Sequence, residues 1–167
     1  MTTLILIRGN AGSGKTTLAT VLQQQLGENT LLLSQDLLRR TMLNAKDGTN
    51  TPTIPLLMSL LDTGKTLCDT IIIEGIFRSD WYAPVFDKIA EQFSDQLHAY
   101  YYDLPFEETL RRHQTRAKAA EFGEEALRRW WVDKDYLTQI PETLLPQNLS
   151  LEEAVQLVLA EVATTSL

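Results

Sequence analysis

Short apolar runs alternate along the chain with stretches whose apolar positions recur at helical spacing. Thr3–Arg8, Thr30–Ser34, Thr70–Glu74, His98–Asp103 and Glu142–Leu145 read as strands. Leu31-Leu32-Leu33 and Ile71-Ile72-Ile73 are apolar at every position rather than every second one, the mark of strands covered on both faces. Leu18, Val21, Leu22 and Leu26 predict a helix stopped by Gly27. Pro55–Asp62 reads as another helix, with Gly64 as its C-cap. Leu151, Ala154, Val155, Val158, Leu159 and Val162 predict a last helix packed onto the fold. Strands alternating with helices predict one α/β domain over residues 1–167, a three-layer αβα sandwich around a parallel sheet. Ligands in such folds sit beyond the carboxyl ends of the strands, so the chemistry is expected just after Arg8, Ser34, Glu74 and Asp103.

The first of these positions carries the strongest signal. Gly9-Asn10-Ala11-Gly12-Ser13-Gly14-Lys15-Thr16 matches G-x-x-x-x-G-K-[ST] in full, between a predicted strand and a predicted helix. Glycines let the backbone curl so that successive N–H groups face phosphate oxygens, and the following helix adds the positive end of its dipole. The loop through Thr17 is thus assigned to nucleotide phosphates, with Lys15 on the β- and γ-phosphates and the Thr16 hydroxyl on Mg²⁺. Such a P-loop NTPase core implies ATP and Mg²⁺ as cofactors. Gly64-Lys65-Thr66 resembles the tail of a second loop but lacks a glycine at position 59 and a preceding strand.

Asp36 follows the second strand. It suits a helix N-cap, and equally a base that takes the proton of an acceptor hydroxyl. Arg39, one turn on, is a candidate for an acceptor anion or a transferring phosphate, and equally a solvated surface arginine. Glu74 ends the third strand, where a carboxylate holds Mg²⁺-bound water or contacts the acceptor, and Gly75 is expected to let the backbone approach the ligand. Arg78 is a further acceptor-side candidate, and Trp81 and Tyr82 are either ring-stacking residues or core. After the fourth strand a basic helix contains Glu107–Arg111 and Glu108–Arg112 at i,i+4 spacing. Arg116 has no such partner upstream, so Arg116 first and Arg112 second are assigned to the charge on a transferred phosphate, within a small helical lid of about 111–123. His113 is expected on the helix surface.

In this order of features the chain resembles the small P-loop kinases, among them chloramphenicol phosphotransferase, zeta toxins, polynucleotide 5′-kinase, and the gluconate, shikimate and uridine kinases. Ser34-Gln35-Asp36-Leu37-Leu38-Arg39 is similar to the Asp base and later Arg of polynucleotide kinases and zeta toxins, and Ile73-Glu74-Gly75 to the Glu-Gly of zeta toxins and uridine kinases. The resemblance implies a five-stranded parallel sheet in the order 2-3-1-4-5 and a mobile lid. It implies transfer of the γ-phosphate of ATP to a hydroxyl of a small molecule such as a nucleoside, sugar or antibiotic. Two other readings stay open: a nucleotide-binding switch or slow NTPase acting through a partner, and a toxin-like kinase of a nucleotide-sugar.

Charge narrows the partners. The chain has 15 basic and 22 acidic residues, a net charge of −7. That speaks against broad nucleic-acid or anionic-membrane binding, which requires a positive field. Pro141–Leu167 holds four acids and no bases, whereas Leu104–Tyr136 balances seven of each, so a locally positive site is expected within a negative chain. The single cysteine, Cys68, excludes an internal disulfide. No stretch has the length of a membrane span, and the opening residues lack a leader pattern. A cytoplasmic protein acting on a small-molecule hydroxyl, with no obligate protein partner, is the expectation.

Overall fold

The computed structural model describes residues 1–165, apart from the side chain of Lys118. Ser166 and Leu167, the end of the acidic C-terminal stretch, lie outside the described residues. The strands are β1 (Thr3–Gly9), β2 (Thr30–Ser34), β3 (Thr70–Gly75), β4 (Leu97–Asp103) and β5 (Thr143–Pro146). The helices are α1 (Lys15–Leu26), α2 (Thr53–Leu67), α3 (Ala83–Phe93), α4 (Phe106–Gln114), α5 (Glu124–Trp130) and α6 (Leu151–Thr165). The strands form one five-stranded sheet in the order β2-β3-β1-β4-β5. All four pairings are parallel. Both the order and the αβα layering agree with expectation.

Successive side chains of a strand point to opposite faces, and the central strands divide the core accordingly. Leu4, Leu6, Ile71 and Ile73 join Leu57, Leu61, Phe86 and Ile89 on one face, beneath α2 and α3. Ile5, Ile7 and Ile72 join Leu18, Leu22, Val155 and Val158 on the other, beneath α1 and α6. This two-sided burial is why the runs lack alternation.

One expectation fails here. Gly64 does not cap a helix: α2 continues to Leu67 and Cys68 occupies the cap position. Gly64 lies on the buried side of the last turns, where a Cβ would stand 2.7 Å from Leu31 Cδ2 and 3.0 Å from Ile71 Cδ1. The glycine lets helix and sheet approach closely without displacing these side-chain tips, a use that the sequence pattern alone does not distinguish from a stop signal.

Register brings the strand ends to one edge. Ile7 pairs with Glu74 and Arg8 with Gly75 across β1–β3. Ser34 pairs with Glu74, and Gly9 with Tyr102. The turn between β1 and α1, the end of β2 and the end of β3 thereby become neighbours.

Candidate active site

Gly9, Gly12 and Gly14 have φ of 152°, 80° and 109°, so the turn between β1 and α1 needs a conformation that residues with a Cβ adopt only under strain. The curl folds Lys15 back over the loop, where its Nζ donates to the Asn10 carbonyl at 2.8 Å and to Ser13 Oγ at 3.3 Å. Gly12 faces α4 so closely that a Cβ would meet the Thr109 carbonyl oxygen at 2.8 Å. The Asn10 side chain faces away from the loop: Nδ2 donates to the Val132 carbonyl at 2.7 Å, and Oδ1 accepts from the Val132 N–H at 2.9 Å.

Thr16 Oγ1 lies on the carboxyl-end edge of the sheet and donates to Glu74 Oε1 at 3.2 Å. Glu74 is buried. Lys15, Thr16, Asp36, Glu74 and Arg116 line one narrow cavity of about 70 Å³. Among the described residues no three His, Cys, Asp or Glu side chains cluster as a metal cage. A hydroxyl beside a carboxylate nevertheless suits Mg²⁺, which takes one or two protein oxygens and fills its octahedron with waters and substrate phosphates. The donor set therefore fits the implied cation.

Asp36 does not cap the turn it begins. Its backbone is helical, its side chain makes no capping hydrogen bond, and the chain proceeds through a π-helical turn at Leu37–Met42. Asp36 Oδ1 instead lies 3.5 Å from Arg39 Nη2 and 3.4 Å from Arg40 Nε. With the capping role gone, the carboxylate is an ion-paired group at the mouth of the phosphate loop.

Arg112 and Arg116 converge on the other side of that loop. Their terminal nitrogens lie 3.7 and 3.5 Å from where a Cβ on Gly14 would stand. Arg112 donates to the Ser13 carbonyl at 2.8 Å and to Glu108 at 2.8 Å, which braces the loop against α4. Arg111 pairs with Glu108 as well, three residues back, rather than with Glu107 as the i,i+4 spacing predicts. Burial and the adjacent Arg112 both disfavour charge on Arg116 and lower its pKa. Two like charges at this spacing are relieved by an anion between them. Arg112, Arg116, Thr17 and Tyr102 line a further space of about 350 Å³, whose lining does not include Asp36 and which shares Arg116 with the narrow cavity.

Several expectations need correction. His113 is buried rather than exposed, because its ring stacks on Phe122 at 4.5 Å and Nε2 contacts the Phe122 carbonyl at 2.7 Å. This contact folds residues 115–123 back against α4. Tyr82 is core, whereas Trp81 stacks against the Arg78 guanidinium at 4.2 Å. Gly75 lines the narrow cavity and is also fixed by packing: a Cβ there would stand 2.5 Å from both Gln35 Cβ and Gln35 Oε1. Gln35 is a hub, accepting from the Phe77 N–H at 3.1 Å and donating to Tyr82 Oη at 2.9 Å and Asp47 Oδ2 at 3.2 Å. Burial and the Asp47 carboxylate push the Tyr82 hydroxyl far above its ordinary pKa, so it stays a donor to Asp47. Gly75→Ala is therefore expected to cost about 1–3 kcal/mol through overpacking, read as a lowered urea midpoint. Tyr82 should become more exposed in the same variant.

Arg39 and Arg78 do not face the narrow cavity. They line an adjoining one of about 350 Å³ together with Lys46, Trp81, Trp130 and Trp131. The two spaces share Arg40, Ile76 and Trp130 in their walls. Sequence reasoning missed Gln35, Asp47 and the tryptophans after α4. The available signal was two of the chain's three tryptophans standing side by side behind Arg128 and Arg129.

A glycine loop at the carboxyl edge of a 2-3-1-4-5 parallel sheet, with acids at two neighbouring strand ends, defines a P-loop protein of small-kinase architecture. Residues 4–131 match the family model AAA_33, described as an AAA domain, and the chain belongs to that family. Its fold is similar to that of a gluconokinase from Sinorhizobium meliloti 1021, at TM-score 0.68 and 15% identity over 97% of this chain and 92% of that one. It is also similar to Mycobacterium tuberculosis APS kinase in complex with AMPPNP and APS, at TM-score 0.68 and 20% identity over 97% and 98%. A tunicamycin resistance protein of Deinococcus radiodurans matches at TM-score 0.60 and 17% identity over 97% and 96%. No curated protein sequence matches the chain. Among the described residues no helix is long and apolar enough to cross a membrane.

Proposed function

We propose that the chain is an ATP-dependent kinase that transfers the γ-phosphate to a hydroxyl of a small molecule. The observation that carries this reading is the position of Asp36, in one cavity with Lys15, Thr16 and Glu74 and next to a larger space that the phosphate loop does not need. A base beside the phosphates would serve hydrolysis as well, by orienting water, but a slow NTPase or switch has no use for the second space. Kinases among the fold neighbours, one of them crystallised with AMPPNP, support the same reading.

In this proposal the loop N–H groups of residues 9–17 and the Lys15 ammonium hold the phosphates. Thr16 and Glu74 hold Mg²⁺, which neutralises phosphate charge when bound. Asp36 accepts the proton of the acceptor hydroxyl as its oxygen bonds to the γ-phosphorus; the bond from that phosphorus to the bridging oxygen breaks, and ADP leaves with the electron pair. Arg116 meets the charge on the transferred group, and Arg112 acts through the loop as a positioning residue. Residues 111–123 form the lid over the phosphates.

The test is incubation with ATP and Mg²⁺ across a panel of nucleosides, nucleotides, sugars and antibiotics, read by mass spectrometry. An acceptor heavier by one phosphoryl group is expected, with ADP in equal amount. Phosphate release without any phosphorylated acceptor overturns the kinase reading in favour of an NTPase.

A further inference from the structure

The larger cavity beside Asp36 has a wall chemistry that phosphate binding on the loop does not explain. Arg39, Arg40, Lys46, Arg78 and Arg129 line it, with Asp47 as the carboxylate among its lining residues. Asp80 and Glu125, which pair with Arg78 and Arg129, are not part of this lining and hold those guanidiniums from outside it. Asp36, which pairs with Arg39 and Arg40, belongs to the neighbouring narrow cavity. Asp47 is already engaged by the Tyr82 hydroxyl at 2.7 Å, by Gln35 and by the Gly48 N–H. The accepting capacity of the wall is thus largely committed to the protein itself. Most of its donors are paired too, Arg78 with Asp80 and Arg39 Nη1 with the Ala45 carbonyl, but one buried donor is not. Arg39 Nε is buried and makes no hydrogen bond among the described residues, its approach to Asp47 Oδ2 being 4.0 Å. A buried donor without a partner is costly unless a ligand supplies the acceptor.

The second feature of the wall is planar. All three tryptophans of the chain, Trp81, Trp130 and Trp131, line this one cavity. Arg78 lies over Trp81 at 4.2 Å and Arg40 over Trp130 at 5.9 Å. Indoles and guanidiniums are both flat and both stack on rings. A neutral polyol calls for free carboxylates and amides that accept from its hydroxyls, and this wall has little of either to offer.

We infer that the acceptor of this chain is an anionic alcohol bearing a planar ring, of nucleoside-monophosphate size, whose anion is held by Arg39 and Arg78 and whose ring lies among the tryptophans. The cavity, at about 350 Å³, falls within the range of small-molecule sites. The inference rests on the kinase reading for the word acceptor, but the binding it describes does not depend on catalysis.

Because every tryptophan lines the cavity, intrinsic fluorescence reports its occupancy directly. The experiment titrates the whole chain, with AMPPNP and Mg²⁺ present to fill the nucleotide site, with the common nucleoside 5′-monophosphates, with the matching nucleosides and with gluconate. At least one monophosphate is expected to change tryptophan emission saturably. Its nucleoside, which lacks the anion, and gluconate, which lacks the ring, should bind at least tenfold more weakly. Arg78→Gln should weaken the monophosphate by about tenfold or more through loss of a charge-assisted hydrogen bond. It should leave AMPPNP affinity unchanged. The inference is overturned if no monophosphate binds, if gluconate or a neutral nucleoside binds as well, or if Arg78→Gln has no effect. Monophosphate binding without phosphoryl transfer would overturn the kinase reading and leave the cavity's specificity standing. Transfer to a neutral sugar would do the reverse.

Discussion

Asp36→Asn is expected to reduce kcat by about 10²–10⁴-fold, the range for removal of a positioned general base. The affinity for ATP should change less than about twofold, because the proposed phosphate contacts are Lys15 and the loop N–H groups and not Asp36. Asn keeps the shape of the side chain and loses the proton acceptor. The ion pairs to Arg39 and Arg40 are partly solvent-exposed and are together worth on the order of 1 kcal/mol. The variant should therefore fold normally, as circular dichroism will show. Single-turnover transfer and equilibrium binding of AMPPNP separate the two effects. Retention of full activity by Asp36→Asn removes Asp36 from the reaction and leaves the phosphate loop assignment untouched.

Arg8→Met is expected to cost about 3–5 kcal/mol of stability, the cost of stranding buried charge by removing its partner. Arg8 is fully buried at the end of β1. Its guanidinium bonds to Glu142 at 2.8 and 3.0 Å, to Asp135 Oδ2 at 2.9 Å, and to the carbonyls of Phe77 and Asp135. The guanidinium also lies over the rings of Phe86 and Tyr101, at 5.2 and 5.4 Å from their centroids. Met fills much of the same volume but leaves the Glu142 carboxylate, with 3% of its side chain exposed, without its cation. Adding Glu142→Gln to Arg8→Met should recover part of the loss, since the more deeply buried of the two stranded carboxylates is then neutral while Asp135 remains charged. Urea unfolding of the two variants measures both quantities. A loss below about 1 kcal/mol for Arg8→Met means that this cluster does not hold the segment down.

These two residues mark what is at stake in that segment. The stretch from Trp131 to Glu142 follows α5 and returns across the carboxyl edge of the sheet. It is tied to β1 by Arg8 and to the phosphate loop by Asn10, whose amide makes two hydrogen bonds with Val132. Trp130, Trp131 and Val132 are also wall residues of the acceptor-side cavity. The nucleotide loop and the ring-binding wall thereby share one backbone connection. Asn10, which its place in the motif assigns to phosphate, contributes its backbone to the loop and its side chain to this link.

The layers, the strands and the phosphate loop are legible in the chain before any packing is considered. Each of these is encoded over a few neighbouring residues: an apolar run for a buried strand, a 3.6-residue repeat for α1 and α6, and glycines where φ must be positive. Thr30–Ser34 appears in the structure with the bounds its pattern predicts, and the other strands differ at their ends by a residue. The 2-3-1-4-5 order came from resemblance to P-loop kinases, because periodicity carries no information about which strands pair.

What Gly64, Gly75, His113 and Arg8 touch, and that Asp36 makes no capping hydrogen bond, emerges only when the layers pack. Gly64 looks like a helix stop but packs against the tips of Leu31 and Ile71, and Gly75, which lines the narrow cavity, is also hemmed in by Gln35. Asp36 has the signature of a cap, which the helical backbone at that position prevents. Arg8 meets partners 127 and 134 residues away. The acceptor-side wall is assembled in the same way, from the turn after β2, the loop after β3 and the end of α5. Local pattern fixes elements because backbone hydrogen bonding and side-chain periodicity act over a few residues. A pocket is chosen by side chains from distant segments meeting across the sheet edge, and that is settled only when the layers close.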